Sequence, residues 1–136
     1  HYVATEMLQM LAGSGTRSLG ARSGILGVTF KENVPDVRNS KVFDLIEALK
    51  GFGLEVVAYD PLADVEEVRH EYGFDLAAKA DLHDLDALVV AVNHADFLPE
   101  IDATVRSTLK PGGVLVDLKS ILPFDDYASD YNYWSL

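Results

Sequence analysis

Short, unbroken apolar runs, separated by stretches with helical spacing, constrain this chain more than any other feature. The runs are Gly24-Ile25-Leu26-Gly27-Val28-Thr29-Phe30, Leu54-Glu55-Val56-Val57-Ala58-Tyr59, Ala87-Leu88-Val89-Val90-Ala91-Val92 and Val114-Leu115-Val116-Asp117. A strand with one wet face alternates apolar and polar residues, whereas a strand covered on both faces reads as continuous apolar sequence. Between the runs, Val42, Phe43, Leu45, Ile46 and Leu49 follow helical spacing behind a capping Ser40 and stop at Gly51 and Gly53. Val65–Tyr72 and the stretch from Phe97 to Leu109, after Pro99, read as further helices.

Doubly covered strands that alternate with helices predict a parallel sheet between two helical layers. The expected architecture is a Rossmann-like, three-layer α/β domain with a mainly parallel sheet of about five or six strands. Phe74-Asp75-Leu76 is the candidate for the extra strand. At the start, Val3, Met7, Leu8 and Leu11 have helical spacing, and a Gly- and Ser-rich linker from Gly13 to Gly24 follows. The chain opens without methionine and directly in this helical pattern, which points to a piece of a longer protein.

Its 136 residues suit one compact domain. No apolar run approaches the ~20 residues of a membrane span. Cysteine is absent, which excludes disulfides, thiolate-held metals and a cysteine nucleophile from this chain. The net charge of −11 argues against nucleic-acid and anionic-membrane partners. That charge is uneven: residues 1–50 carry six Lys/Arg against five Asp/Glu, and residues 51–136 carry five against seventeen. The less acidic part is either a solvated face or a small anion site near Lys31 and Arg38.

In open α/β sheets, ligands bind outside the carboxyl ends of the strands. Lys31, Asp60, Asn93-His94 and Lys119 follow four of the runs and should share that edge. Two lysines and Arg38 there favour an anion such as a phosphate, with the helix start near Asn39-Ser40 adding backbone N–H groups. A nicotinamide-binding domain is the competing reading, with Asp60 on a ribose hydroxyl. The first turn, Gly27-Val28-Thr29-Phe30-Lys31-Glu32, lacks the Gly-x-Gly-x-x-Gly that such a site uses, and Asp60 reads equally as a turn residue before Pro61. His94 is expected to cap or pack at a helix start, His70 and His83 to lie on the surface, and Asp36 to order the Arg38 loop. The aromatic tail Tyr127, Tyr131, Tyr133 and Trp134 reads as a packing element or a subunit contact.

Gly27 to Ser40 carries a more specific signal. It resembles the Phe-Lys-x-x-x-x-Asp-x-Arg-x-Ser signature in the C-terminal UDP-binding domain of UDP-glucose and UDP-N-acetylhexosamine 6-dehydrogenases, and the likeness continues in Val56–Pro61, Ala87–His94 and Val116–Lys119. The variants around Arg38 look most like the N-acetylhexosamine branch used for surface polysaccharides.

The resemblance implies that residues 1–22 are the end of a central helical region and a linker, and that 23–136 are the UDP-sugar-binding C-terminal domain. It implies that Phe30, Lys31 and Lys119 contact the UDP-sugar and that Arg38 reaches the NAD cofactor, itself bound mainly by an N-terminal domain outside this chain. The whole enzyme is then a cytoplasmic, homo-oligomeric oxidoreductase that converts a sugar C6 alcohol to an acid in two NAD-dependent steps through a cysteine thioester. This domain would position the sugar from a distance by holding UDP, and alone it would be inactive. The other readings are a stand-alone nucleotide-binding module, an NAD-binding Rossmann domain, and an assembly domain that uses the acidic face and aromatic tail.

Overall fold

A computed structural model describes residues 1–136. Helix α1 spans Tyr2–Gly13, strand β1 Arg22–Leu26, α2 Val42–Gly51, β2 Glu55–Tyr59, α3 Val65–Tyr72 and β3 Leu85–Val90. Then follow α4 Ile101–Thr108, β4 Leu109–Asp117, the short α5 Phe124–Tyr127 and β5 Asn132–Ser135. The five strands form one sheet in the order β2-β1-β3-β4-β5, and every pair is parallel.

The sheet separates two cores. On one face Met7 and Leu11 of α1, Ile46 and Leu49 of α2 and Val68 of α3 pack against Ile25, Ala87 and Val89. On the other, Val105 of α4 and Tyr127 of α5 pack against Leu26, Leu88, Val90 and Leu115. Successive side chains of β1, β3 and β4 therefore enter opposite cores, which is why the runs are apolar throughout. Asp64 Oδ1 accepts the Glu67 N–H at 3.0 Å to cap α3, and Gly73, at φ +63°, ends it.

Three expectations change. Phe74–Leu76 is not a strand. It belongs to the crossover from β2 to β3, where Phe74 packs edge-on against Phe43 and Asp75 pairs with Arg69. The fifth strand is β5, in the aromatic tail, running parallel to β4 from Val114↔Asn132 to Asp117↔Ser135. Trp134 packs on one core and Tyr133 on the other, so the tail is a packing element of the sheet. The first strand ends at Leu26 and not at Phe30. Beyond it the Val28 and Thr29 N–H groups go to the Asp60 carboxylate and not to a neighbouring strand.

The strand order sets where the edge opens. From β1 the chain moves outward to β2, while β3 lies on the other side of β1. The loops that leave β1 and β3 diverge, and this order places the ligand crevice between them.

Candidate functional site

Gly27 begins the loop after β1 at φ +90°, and a Cβ there would lie 2.5 Å from Val92 Cβ. Only glycine supplies both that conformation and that closeness. The turn carries Val28–Asn33 across the end of the sheet, where buried polar side chains hold it. Asp60 follows β2, and its side chain is 0% exposed. Its Oδ2 accepts the N–H groups of Val28 at 2.8 Å and Thr29 at 3.3 Å, and its Oδ1 accepts those of Leu62 at 2.8 Å and Ala63 at 3.2 Å.

His94, beyond the end of β3, is also fully buried. Its Nδ1 accepts the Asn33 N–H at 2.9 Å, so that nitrogen carries no proton and the neutral ring holds its proton on Nε2. Nε2 lies 2.8 Å from Asp60 Oδ2 and 3.1 Å from Thr29 Oγ1. The Thr29 hydroxyl donates to the Lys31 carbonyl at 2.9 Å, and Asn33 Oδ1 accepts the Ala95 N–H at 2.7 Å. His94 thus caps a loop amide, and it also stands where expected, at the start of a helical stretch: its carbonyl accepts the Phe97 N–H at 3.0 Å in the turn that leads through a 3-10 helix, Leu98–Glu100, into α4, and its ring packs on Phe97.

Beside this network, at the carboxyl end of the sheet, lies a cleft of about 420 Å³. Phe30 and Lys31 come to it from the loop after β1, Asn39, Ser40 and Lys41 from the approach to α2, Val92 from the end of β3, and Leu118 and Lys119 from the end of β4. Its size suits a small-molecule ligand, and its walls combine an apolar floor with a few polar groups. Phe30 is 56% exposed, which leaves its ring free for contact.

The charge of the cleft is opposite to that of the chain. Arg22, Arg38, Lys50, Arg69, Lys79, Arg106 and Lys110 are each in an ion pair. Arg17, Lys31, Lys41 and Lys119 are in none; the three lysines line the cleft, which has no Asp or Glu side chain, and Arg17 lies outside it. A second cavity of about 220 Å³ lies near Tyr59 and Phe97, and the Lys79–Glu100 pair at 2.9 Å neutralises the cation there.

The structure therefore brings Phe30, Lys31 and Lys119 to one cleft. Arg38 is not part of it. Its side chain is 69% exposed, and its Nε donates to Asp36 Oδ1 at 3.2 Å, an oxygen that also accepts the Arg38 backbone N–H at 2.9 Å. The side-chain hydrogen bond, then the backbone one, holds the Asp36 carboxyl below the usual carboxylate range. His70 and His83 are exposed, and no helix is long and apolar enough to cross a membrane.

Sequence reasoning missed the joint work of Asp60, His94 and Asn33. Only their positions just past strand ends signalled it; contacts across 31 to 65 residues leave no local pattern. It also missed Lys41, one residue beyond the signature.

Known proteins resemble the chain in sequence and in fold. The family profile described as "UDP-glucose/GDP-mannose dehydrogenase family, UDP binding domain" matches residues 24–124. Protein CapL of Staphylococcus aureus is 36% identical over 135 residues, 99% of this chain and 32% of that protein. UDP-N-acetyl-D-glucosamine 6-dehydrogenase of Salmonella typhi is 37% identical over 123 residues, 90% of this chain and 29% of that protein. The chain spans about a third of the length of these curated relatives. Among solved structures, NDP-N-acetyl-D-galactosaminuronic acid dehydrogenase from Methanosarcina mazei Go1 shares the fold, with a TM-score of 0.79 at 18% identity over 98% of this chain and 29% of that one.

Proposed function

We propose, from the premise that the chain belongs to the UDP-glucose/GDP-mannose dehydrogenase family as its UDP-binding domain, that its cleft holds the nucleotide end of a UDP-sugar for oxidation by the rest of a larger enzyme. The observation that carries this reading is the set of three unpaired lysines around a cleft free of carboxylate side chains, in a chain of net charge −11. A diphosphate supplies the countercharge that the protein withholds there. Lys31 and Lys119 face the phosphates or a sugar hydroxyl, and the exposed Phe30 ring lies against the base or sugar. The α2 approach adds Ser40 and the Lys41 ammonium.

The reaction is the NAD-dependent conversion of a sugar C6 alcohol to an acid. The UDP-N-acetyl-D-glucosamine 6-dehydrogenase likeness supports an N-acetylhexosamine substrate and a place in surface-polysaccharide precursor supply. The cysteine of the thioester route and the NAD loop belong to other parts of the enzyme, since this chain has no cysteine. NAD itself does not fit the turn after β1. The Val28 and Thr29 amides that would face a pyrophosphate are already bonded to Asp60, and the Asp60 carboxylate is too buried to reach a ribose. When bound elsewhere in the enzyme, NAD would accept hydride from the sugar, and Arg38, exposed on its loop, would meet it from this side. Binding energy from UDP then places C6 for the chemistry. The enzyme works in the cytoplasm as a homo-oligomer.

The test is an NMR titration of the ¹⁵N-labelled chain with UDP and, separately, with NAD. UDP should shift the amides of Phe30, Lys31 and Lys119, and Lys119→Ala should abolish or sharply weaken that response. Shifts with NAD around Gly27 and Asp60, and none with UDP, would refute the assignment.

A further inference from the structure

Asp60 and His94 are buried, polar and absent from the cleft wall, yet they hold the segment that reaches it. Asp60 fixes the Val28 and Thr29 amides on one side of Phe30 and Lys31, and His94 fixes the Asn33 amide on the other. Between these anchors, the Thr29 hydroxyl holds the Lys31 carbonyl and the Phe30 N–H donates to the Asp36 carbonyl at 2.7 Å.

We propose that Asp60 and His94 are positioning residues of the cleft: a buried clamp that fixes the Thr29–Asn33 segment and so aims Phe30 and Lys31 at the ligand. This rests on the UDP reading for the identity of the ligand, though not for the clamp itself. The clamp joins the two loops that diverge at the β1/β3 opening, so it sets the width of the crevice as well as the loop's path.

The donors run in one direction. The Asn33 N–H points at Nδ1, and the Nε2 proton points at Asp60 Oδ2. The opposite tautomer would set two N–H groups against each other at Asn33 and turn a bare nitrogen lone pair toward the carboxylate. Neither defect can be mended by water, because both side chains are 0% exposed. Burial of this kind makes a geometry definite, and a lysine that must meet a phosphate needs a definite backbone more than a stable one.

The first experiment needs no variant and no ligand. ¹⁵N NMR of the histidine rings in this chain should show His94 neutral with its proton on Nε2; a charged ring or the opposite tautomer overturns the clamp.

The second compares two isosteres. His94→Asn places an oxygen where Nδ1 was and keeps the acceptor for Asn33. His94→Gln keeps a donor near Asp60 and loses that acceptor. UDP binding should weaken about tenfold in the Gln variant and about threefold or less in the Asn variant, although both lose stability. Equal weakening that simply tracks stability would assign the pair a structural role and overturn the proposal.

If the unmodified chain binds no UDP, the ligand reading fails, and backbone relaxation decides the clamp alone. The Thr29–Asn33 amides should gain mobility in the Gln variant and not in the Asn variant, and unchanged mobility in both overturns it. If these variants do not fold, Thr29→Val removes only the hydroxyl between His94 and the Lys31 carbonyl. It should weaken UDP about threefold or loosen the same amides; no change in either overturns the proposal.

Discussion

The two cationic side chains of the loop between β1 and α2, Lys31 and Arg38, are supported in opposite ways. Residues 28–33 are anchored from beneath by fully buried side chains, Asp60 and His94, that come from two other strand ends. Residues 34–40 are fixed at Val37, which is buried in the core with its carbonyl accepting the Tyr72 hydroxyl, but the Arg38 side chain beside it is 69% exposed and clasped only to Asp36, two residues away. The first arrangement spends burial and long-range bonds on one geometry. The second leaves a guanidinium on a local tether that water can replace. The difference fits a cleft whose Lys31 must sit still and an arginine whose proposed partner arrives from outside the chain.

The contrast breaks most completely at Asp60. Asp60→Ala removes the acceptor from four backbone N–H groups and from His94. Each buried donor left bare costs about 1–3 kcal/mol, and partial rehydration of the collapsed loop should leave a loss of at least about 3 kcal/mol. Urea denaturation measures it. A loss below about 1 kcal/mol would mean that the network follows the loop and does not hold it.

Gly27 is the next test, because the anchored segment starts from its conformation. Gly27→Ala meets both φ +90° and a Cβ 2.5 Å from Val92 Cβ, a contact close to the chain and not at a flexible tip. The expected loss is about 1–3 kcal/mol, with loop amides shifted toward Asn33. Thermal unfolding and an amide spectrum read the two effects together.

These two positions also mark how far the sequence could be read. The core strands were legible because Ile25, Leu26, Ala87, Leu88, Val89 and Val90 fill two cores in alternation, and that leaves an unbroken apolar signature. The edge strand β5 was not, because a rim strand with one neighbour needs no such run, and Asn132-Tyr133-Trp134-Ser135 reads as a tail. Phe74–Leu76 misled in the other direction: its apolar ends pack against Phe43 and the sheet without pairing along it. At the cleft, Lys31 and Lys119 were visible as residues past strand ends, and Phe30 only through the family signature. Asp60 was legible only as a turn, since the Leu62 and Ala63 amides are its local donors, whereas Val28, Thr29 and His94 lie on loops whose proximity the fold alone creates. Nothing local to Asp60 or His94 distinguishes a buried clamp from a surface turn.

A substitution on the ligand side should leave the fold alone. Lys31→Ala and Lys119→Ala remove exposed, unpaired ammonium groups and should change stability by less than about 0.5 kcal/mol. Each should weaken UDP about tenfold, the loss of one charge-assisted contact. Isothermal or NMR titration beside a melting curve separates the effects. Equal binding by wild type and Lys31→Ala would detach the anchored loop from the ligand.

The smallest effect belongs to the tethered side chain, and it has a pH sign. Arg38→Ala should leave both the melting curve and UDP binding by this chain nearly unchanged, because the side chain is exposed and outside the cleft. The Asp36 carboxyl sits below its ordinary 3.8, chiefly through the Arg38 side-chain hydrogen bond. A depressed carboxyl contributes its full share above its unfolded value and loses it as pH falls through the folded one. The clasp should therefore be closed and constant at neutral pH and open only below about pH 4, the ordinary carboxylate range. An NMR pH titration of Asp36 in wild type and Arg38→Ala reads this directly: the variant should titrate at the higher pH. Coincident curves would show that Arg38 is not tethered at all, and the two side chains would then differ by more than their anchors.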